Sequence, residues 1–236
     1  MSTSPVHDFR YVLCPGSQPL ADYRFLHEQI FRCWELVWKE TYQELNIDKK
    51  LTSDVFTRQD YIGALFYENK CVGMAFFRWS YAYGPEFSED SYFSNWEKNH
   101  INELCSRGPE IIVCSNYTIH PSARGNQLPL PMRDLLLGMI IETFLNSNAD
   151  AMTAATRLDR KVNEVCTRWG AHPIARDLPS GFGEARVDLL GFFKDIILSQ
   201  KAPPLKEHTE FLWANRLEIP RENHHVFPSI PILKVA

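Results

Sequence analysis

Residues 118–140 read TIHPSARGNQLPLPMRDLLLGMI. They leave a β-branched run, EIIVCSNYTI at 110–119, cross a loop holding an Arg-Gly pair and three prolines, and enter an apolar helix. In that helix Met132, Leu135, Leu136, Met139, Ile140, Thr143 and Phe144 recur at three and four, so it is expected to be amphipathic with one face on the core. Pro131 suits the first turn, where a missing N–H costs nothing. Consecutive amides at such a helix start, approached through a glycine, bind anionic phosphates with help from the helix dipole. The alternative is a plain surface loop before a proline-started helix.

Working outward, FRYVLC (9–14) predicts a strand stopped by Pro15-Gly16, and the following residues carry Ile30, Trp34, Val37, Trp38 and Leu45 at helical spacing. YIGALFY (61–67) and CVGMAFFRW (71–79), separated by Glu68-Asn69-Lys70, predict a hairpin. Tyr81 to Cys105 reads as loop, then helix. After the central strand and helix come a strand at 149–156, a helix around 160–170 ended by Gly170, the segment 172–176 and a strand at 185–193. Beyond about Lys201, Pro203, Pro204, Pro220, Pro228 and Pro231 oppose long regular elements. The expected organisation is one domain over 1–200 and an extended arm over 201–236, with one helical turn near Phe211-Leu212-Trp213. A homodimer contact through that arm is one expectation for it.

The chain has 236 residues, 44% of them apolar, enough to bury a large core. Six cysteines without a C-x-x-C pair read as reduced thiols rather than zinc ligands, so no metal is expected. A net charge of −4 gives no basic footprint for nucleic acid. No apolar run reaches the length of a membrane span, and the N-terminus lacks a signal pattern; a cytoplasmic location is expected.

The order of elements over roughly 9–195, an α/β (α+β) arrangement with a mixed central sheet flanked by helices, resembles the GCN5-related N-acetyltransferase (GNAT) superfamily. There the strand-loop-helix runs apolar residue, proline, Arg or Gln, two variable residues, Gly, one residue, Gly or Ala. Here it stands as Ile119, Pro121, Arg124, Gly125-Asn126, Gln127, Leu128 and Pro129. The later helix of the family carries Asn, then Tyr, then Gly-Phe; the matching positions are Asp159, Cys166 and Gly170-Ala171.

The resemblance implies an N-acyltransferase that takes an acyl group from acyl-coenzyme A, such as acetyl-CoA, and hands it to a small-molecule amine. It places the donor's phosphates on Arg124, Gly125, Asn126, Gln127 and Leu128, with Asp159 in the same donor site. The pantetheine arm would pair with the backbone of Tyr117 and Ile119 like an added strand. Gln127 replaces a glycine and Pro129 has no N–H, so a single phosphate is easier to hold than a pyrophosphate. That keeps open a second donor, acyl-phosphopantetheine on an acyl carrier protein, as in the superfamily's N-acyl amino acid and acyl-homoserine lactone synthases. A third reading is a non-catalytic binding or sensing module.

Strand alternation puts Asn116, Thr118 and His120 opposite Ser115, Tyr117 and Ile119, and Asn116 and Thr118 are the acceptor-side candidates. Cys166, at the tyrosine position, is the candidate acid for the leaving thiolate, although Val162, Cys166 and Trp169 also mark a buried helix face. Arg157, Arg160, Lys161 and Arg168 form a basic cluster that reads either as a solvated face or as a docking patch for an acidic carrier protein. The aromatic segment 76–96 reads either as core or as the lining of an acyl channel.

Overall fold

The computed structural model describes residues 5–94, 96–180, 183–200, 203 and 205–222. In chain order the elements are β1 (Phe9–Cys14), α1 (Arg24–Glu44), a single turn α2 (Asp54–Thr57), β2 (Tyr61–Tyr67), β3 (Lys70–Tyr81), α3 (Lys98–Leu104) and β4 (Glu110–Ile119). Then follow α4 (Met132–Leu145), β5 (Ala151–Arg157), α5 (Val162–Arg168), β6 (His172–Pro179), β7 (Arg186–Phe193), α6 (Lys194–Ser199), α7 (Lys206–Ala214) and β8 (Leu217–Glu218).

The strands form one mixed sheet in the order β6-β7-β5-β4-β3-β2-β1-β8. β1, β2, β3 and β4 are successive antiparallel neighbours; a hairpin turn joins β2 to β3, while helical connections join β1 to β2 and β3 to β4. Glu68 and Asn69 both take positive φ, the conformation a two-residue hairpin turn demands. β4 and β5 run parallel because α4 carries the chain back across the sheet between them.

Each face of the sheet is covered. α4, α5 and α7 pack one face around Leu135, Met139, Phe144, Trp169 and Leu212, and α1 with α2 packs the other around Ile30, Trp34, Phe56 and Phe76. A third cluster lies under α3, where Phe87 and Phe93 stack at 4.3 Å against a core of Ile111, Val113, Ile174 and Leu189.

Two sequence expectations change. α4 is buried on every side rather than amphipathic, because α7 lies across its outer face. Gly138 marks the crossing: a Cβ there would come within 2.4 Å of Thr209 Cγ2 on α7 and 2.6 Å of the Trp169 ring. The described part of the C-terminal arm is therefore not extended but folds back, with nine helical residues where one turn was expected and β8 pairing parallel to β1. Arg24 and Glu222 join the two ends at 3.0 Å. The prolines at 203 and 220 bracket this helix and strand instead of preventing them. The expected dimer contact through the arm falls in part on 223–236, outside the described residues.

Candidate active site

Two features of β4 open the sheet at its centre. The parallel ladder between β4 and β5 spans only Ile111–Val113 against Ala151–Thr153, and beyond it Cys114–Ile119 and Ala154–Arg157 separate into a wedge. β4 also carries a bulge. Met74 and Phe76 of β3 pair with Thr118 and Ser115, so two residues of β4 lie opposite one of β3, and Asn116 takes a left-handed φ of 53°.

The bulge breaks the alternation expected for this strand. Partners in an antiparallel pair share a face, so Ser115 and Thr118 both lie on the α1 face with Phe76 and Met74, three residues apart. Cys114, Tyr117 and Ile119 point to the α4 face. Thr118 is fully buried and does not line the wedge. Its hydroxyl accepts a hydrogen bond from Trp38 Nε1 at 3.0 Å and donates to the Asn116 carbonyl at 2.5 Å. Thr118 as an acceptor-side catalytic residue is thereby corrected: the extra residue turns it into α1, and the tryptophan occupies its hydroxyl. Asn116 does line the wedge.

A cavity of about 260 Å³ fills the wedge. Trp38, Glu40, Thr41 and Glu44 of α1 form one wall, and Arg133, Leu137 and Ile140 of α4 another. Ser115, Asn116, Tyr117 and Ile119 face Ala154, Ala155, Thr156 and Arg157 across it, and Val162, Cys166 and Phe192 close an apolar end. Ion pairs tie the charged rim together. Arg160 reaches from the α5 side to Glu44, Arg124 lies 3.7 Å from Glu40, and Arg133 donates to the Arg160 carbonyl at 2.8 Å.

The phosphate-loop candidates divide. Arg124 lines the cavity, with Nε donating to the Ile119 carbonyl, while Gly125, Asn126, Gln127 and Leu128 lie beside it on the loop outside the cavity lining. Gly125 has φ of 67° and nothing within 4 Å of where a Cβ would stand, so this stretch of backbone is open to a ligand. Pro131 caps α4 rather than starting it, and its ring supplies no side-chain cap to the first amides of the helix. Asp159 does not line the cavity; it pairs with Arg157 at 2.6 Å, and that guanidinium holds its carboxyl below the usual range.

Cys166 is at the apolar end, 3% exposed, and burial pushes its thiol up to about 12. The Tyr117 phenol is raised as well, mainly by desolvation, and donates to the Arg133 carbonyl at 2.7 Å. The four cations of the basic cluster each face a carboxylate: Arg157 with Asp159, Arg160 with Glu44, Lys161 with Glu164 and Arg168 with Asp134. Of the aromatics of 76–96, Phe76, Phe77, Trp79, Phe87, Tyr92, Phe93 and Trp96 pack in or against the cores while Tyr81 and Tyr83 are exposed, and among the described residues none lines the cavity.

The α1 wall, with Trp38, Glu40, Thr41 and Glu44, was missed from sequence. Glu40 and Glu44 sit one helical turn apart on one face, which is a signal, but nothing local says which sheet gap that face covers. Among the described residues no helix is long and apolar enough to cross a membrane, and no cluster of three or more His, Cys, Asp or Glu is placed to hold a metal.

No protein-family model and no curated protein sequence matches this chain. Solved structures do. The chain is similar to FeeM, an N-acyl amino acid synthase from uncultured soil microbes, at 12% identity and a TM-score of 0.56, over 85% of this chain and 98% of that one. It is also similar to an agmatine N-acetyltransferase, at 11% identity and a TM-score of 0.54, over 79% and 99% of the two chains. Identities this low speak for architecture, and together with the parted β4 and β5 they establish that this chain has the GNAT-type N-acyltransferase fold.

Proposed function

We propose that the protein is an N-acyltransferase that transfers an acyl group from a thioester donor to an amine. The observation that carries the reading is the wedge: β4 parts from β5 at a bulge, exposing strand backbone between an open helix N-terminus and an apolar pocket end. A pantetheine arm fits such a gap as an added strand, with its phosphate at the amides of 125–128 and α4 and near Arg124. The acyl group would lie against Leu137, Ile140, Val162 and Phe192.

In the reaction the neutral amine nitrogen attacks the thioester carbonyl carbon. The oxyanion is held by backbone N–H at the bulge, the C–S bond breaks, and the amide forms. The nitrogen's proton leaves through the rim, where Glu40 and Glu44 draw an ammonium group toward the α1 wall. The departing thiolate takes its proton from water. A thiol at about 12 is a reluctant donor to a thiolate whose conjugate acid sits near ~8.5, so Cys166 is assigned to the pocket wall rather than to acid catalysis.

Acyl-CoA is the default donor. A carrier-protein donor is favoured by one observation, the loop with Gln127 and the amide-less Pro129, which suits one phosphate better than two. The test is thiol release: acetyl-, medium- and long-chain acyl-CoA and acylated carrier protein are each incubated with the protein and a panel of amino acids and polyamines. Thiol release that depends on the amine supports the reading. Failure with every pair leaves the chain a binding module and sinks it.

A further inference from the structure

The peptide joining Asn116 and Tyr117 is held by a relay that starts on a different element. Trp38, on α1, lines the cavity and donates its indole N–H to Thr118 Oγ1; the same hydroxyl donates to the Asn116 carbonyl oxygen. A hydroxyl has one proton and two lone pairs, so accepting from the indole directs its single proton to the carbonyl. Asn116 tolerates a left-handed conformation better than most residues with a Cβ, and the hydrogen bond to its carbonyl holds it there. In a trans peptide the N–H lies opposite the C=O, so tying the Asn116 oxygen toward Thr118 aims the Tyr117 N–H away from it.

We propose that Thr118 and Trp38 are positioning residues for the acyl-transfer step: together they lock the bulge peptide so that the Tyr117 N–H is preorganised to receive the negative charge that develops on the thioester oxygen. The proposal rests on the N-acyltransferase reading. It adds to it a reason for a polar side chain in a fully buried position and a physical link from the α1 wall to the reacting centre. Neither residue touches the donor's reacting atoms; both act through the backbone. A preorganised donor acts on the transition state more than on the bound thioester, so losing the lock should lower kcat rather than raise KM.

The experiment compares wild type with Thr118→Val, Thr118→Ser and Trp38→Phe. Thr118→Val keeps the shape and loses the hydroxyl, Thr118→Ser keeps the hydroxyl, and Trp38→Phe removes the indole donor together with part of the ring volume on the cavity wall while retaining an aromatic ring. Amine-dependent thiol release should fall about tenfold to a hundredfold in kcat for Thr118→Val, with donor KM within about threefold, and Thr118→Ser should restore most of it. Trp38→Phe should lose kcat in the same direction. Full kcat in Thr118→Val overturns the proposal, as does a loss that Thr118→Ser shares in proportion to its loss of melting temperature.

Amide hydrogen exchange across 116–119 supplies the activity-independent arm. Exchange should accelerate in Thr118→Val and not in Thr118→Ser; equal exchange in the two overturns the lock. If wild type releases no thiol from any donor, the enzyme reading has failed separately, and the exchange comparison still decides whether the relay holds the bulge. If Thr118→Val does not fold, Trp38→Phe carries both measurements.

Discussion

Gly138 of α4 and Thr209 of α7 meet so closely that a single added carbon at Gly138 would stand 2.4 Å from the threonine methyl. The contact makes the C-terminal helix part of the layer that supports the wedge, since α4 also supplies Arg133, Leu137 and Ile140 to the cavity. Gly138→Ala should destabilise the protein by about 1–3 kcal/mol, the usual cost of overpacking a filled interior, despite alanine's better helix propensity. Urea unfolding measures it. A more stable variant would show that α7 does not lie against α4 as described.

The rim should control donor binding rather than folding. The Arg160–Glu44 pair is roughly half exposed, at 48% and 47%, and exposed pairs contribute about 0–1 kcal/mol. Arg160→Ala should therefore leave the melting temperature nearly unchanged. If Arg124 and Arg160 meet the donor's phosphate, the double Ala variant should raise donor KM by about tenfold with kcat largely kept, an effect that shrinks as salt screens the charges. Initial rates at two ionic strengths check both points.

For Cys166, replacement by Ala should keep kcat within about threefold and leave the shape of its pH profile unchanged, because a thiol raised to about 12 does not titrate near neutral pH. The loss should instead appear as a stability change of about 1 kcal/mol from the vacated volume. A hundredfold drop in kcat with intact folding would return the acid role to Cys166.

Acid should unfold the protein in part through His27. Burial lowers its pKa from 6.5, opposed by its hydrogen bonding to the Gly16 carbonyl, so the folded state resists a proton that the unfolded state accepts. Above 6.5 both states are neutral and the group contributes no pH dependence; as pH falls below it, stability is lost. Melting temperatures between pH 8 and 5 for wild type and His27→Gln should diverge only toward the acid end, with the variant losing less.

Much of the fold was legible because its signals are local. FRYVLC, YIGALFY and EIIVCSNYTI coincide with β1, β2 and β4, and the Glu68-Asn69 turn fell where the polar break predicted it. The failures share a cause: each depends on something distant in sequence. α4 looked amphipathic because its outer face is covered by a helix more than sixty residues on. Ser115 was grouped with Tyr117 and Ile119 but shares the face of Thr118, because strict alternation holds only without a bulge, and a bulge is made by the pairing partner rather than announced by the residues. Nothing near Thr118 in sequence points to Trp38, eighty residues earlier. Arg124 and Asn116 both come to line the cavity because the loop and the strand that carry them are continuous.

The proposed acyl transfer requires the gap between β4 and β5 to receive a thioester-bearing pantetheine arm. Its most direct test is titration of isotope-labelled protein with acyl-pantetheine phosphate and acyl-CoA while following backbone amide resonances. Saturable shifts should concentrate at Ser115–Ile119, Ala154–Arg157 and the first turn of α4 if the arm enters the gap. Shifts confined to the separate groove at Phe25, Cys33 and His120, or none at millimolar ligand, would contradict it.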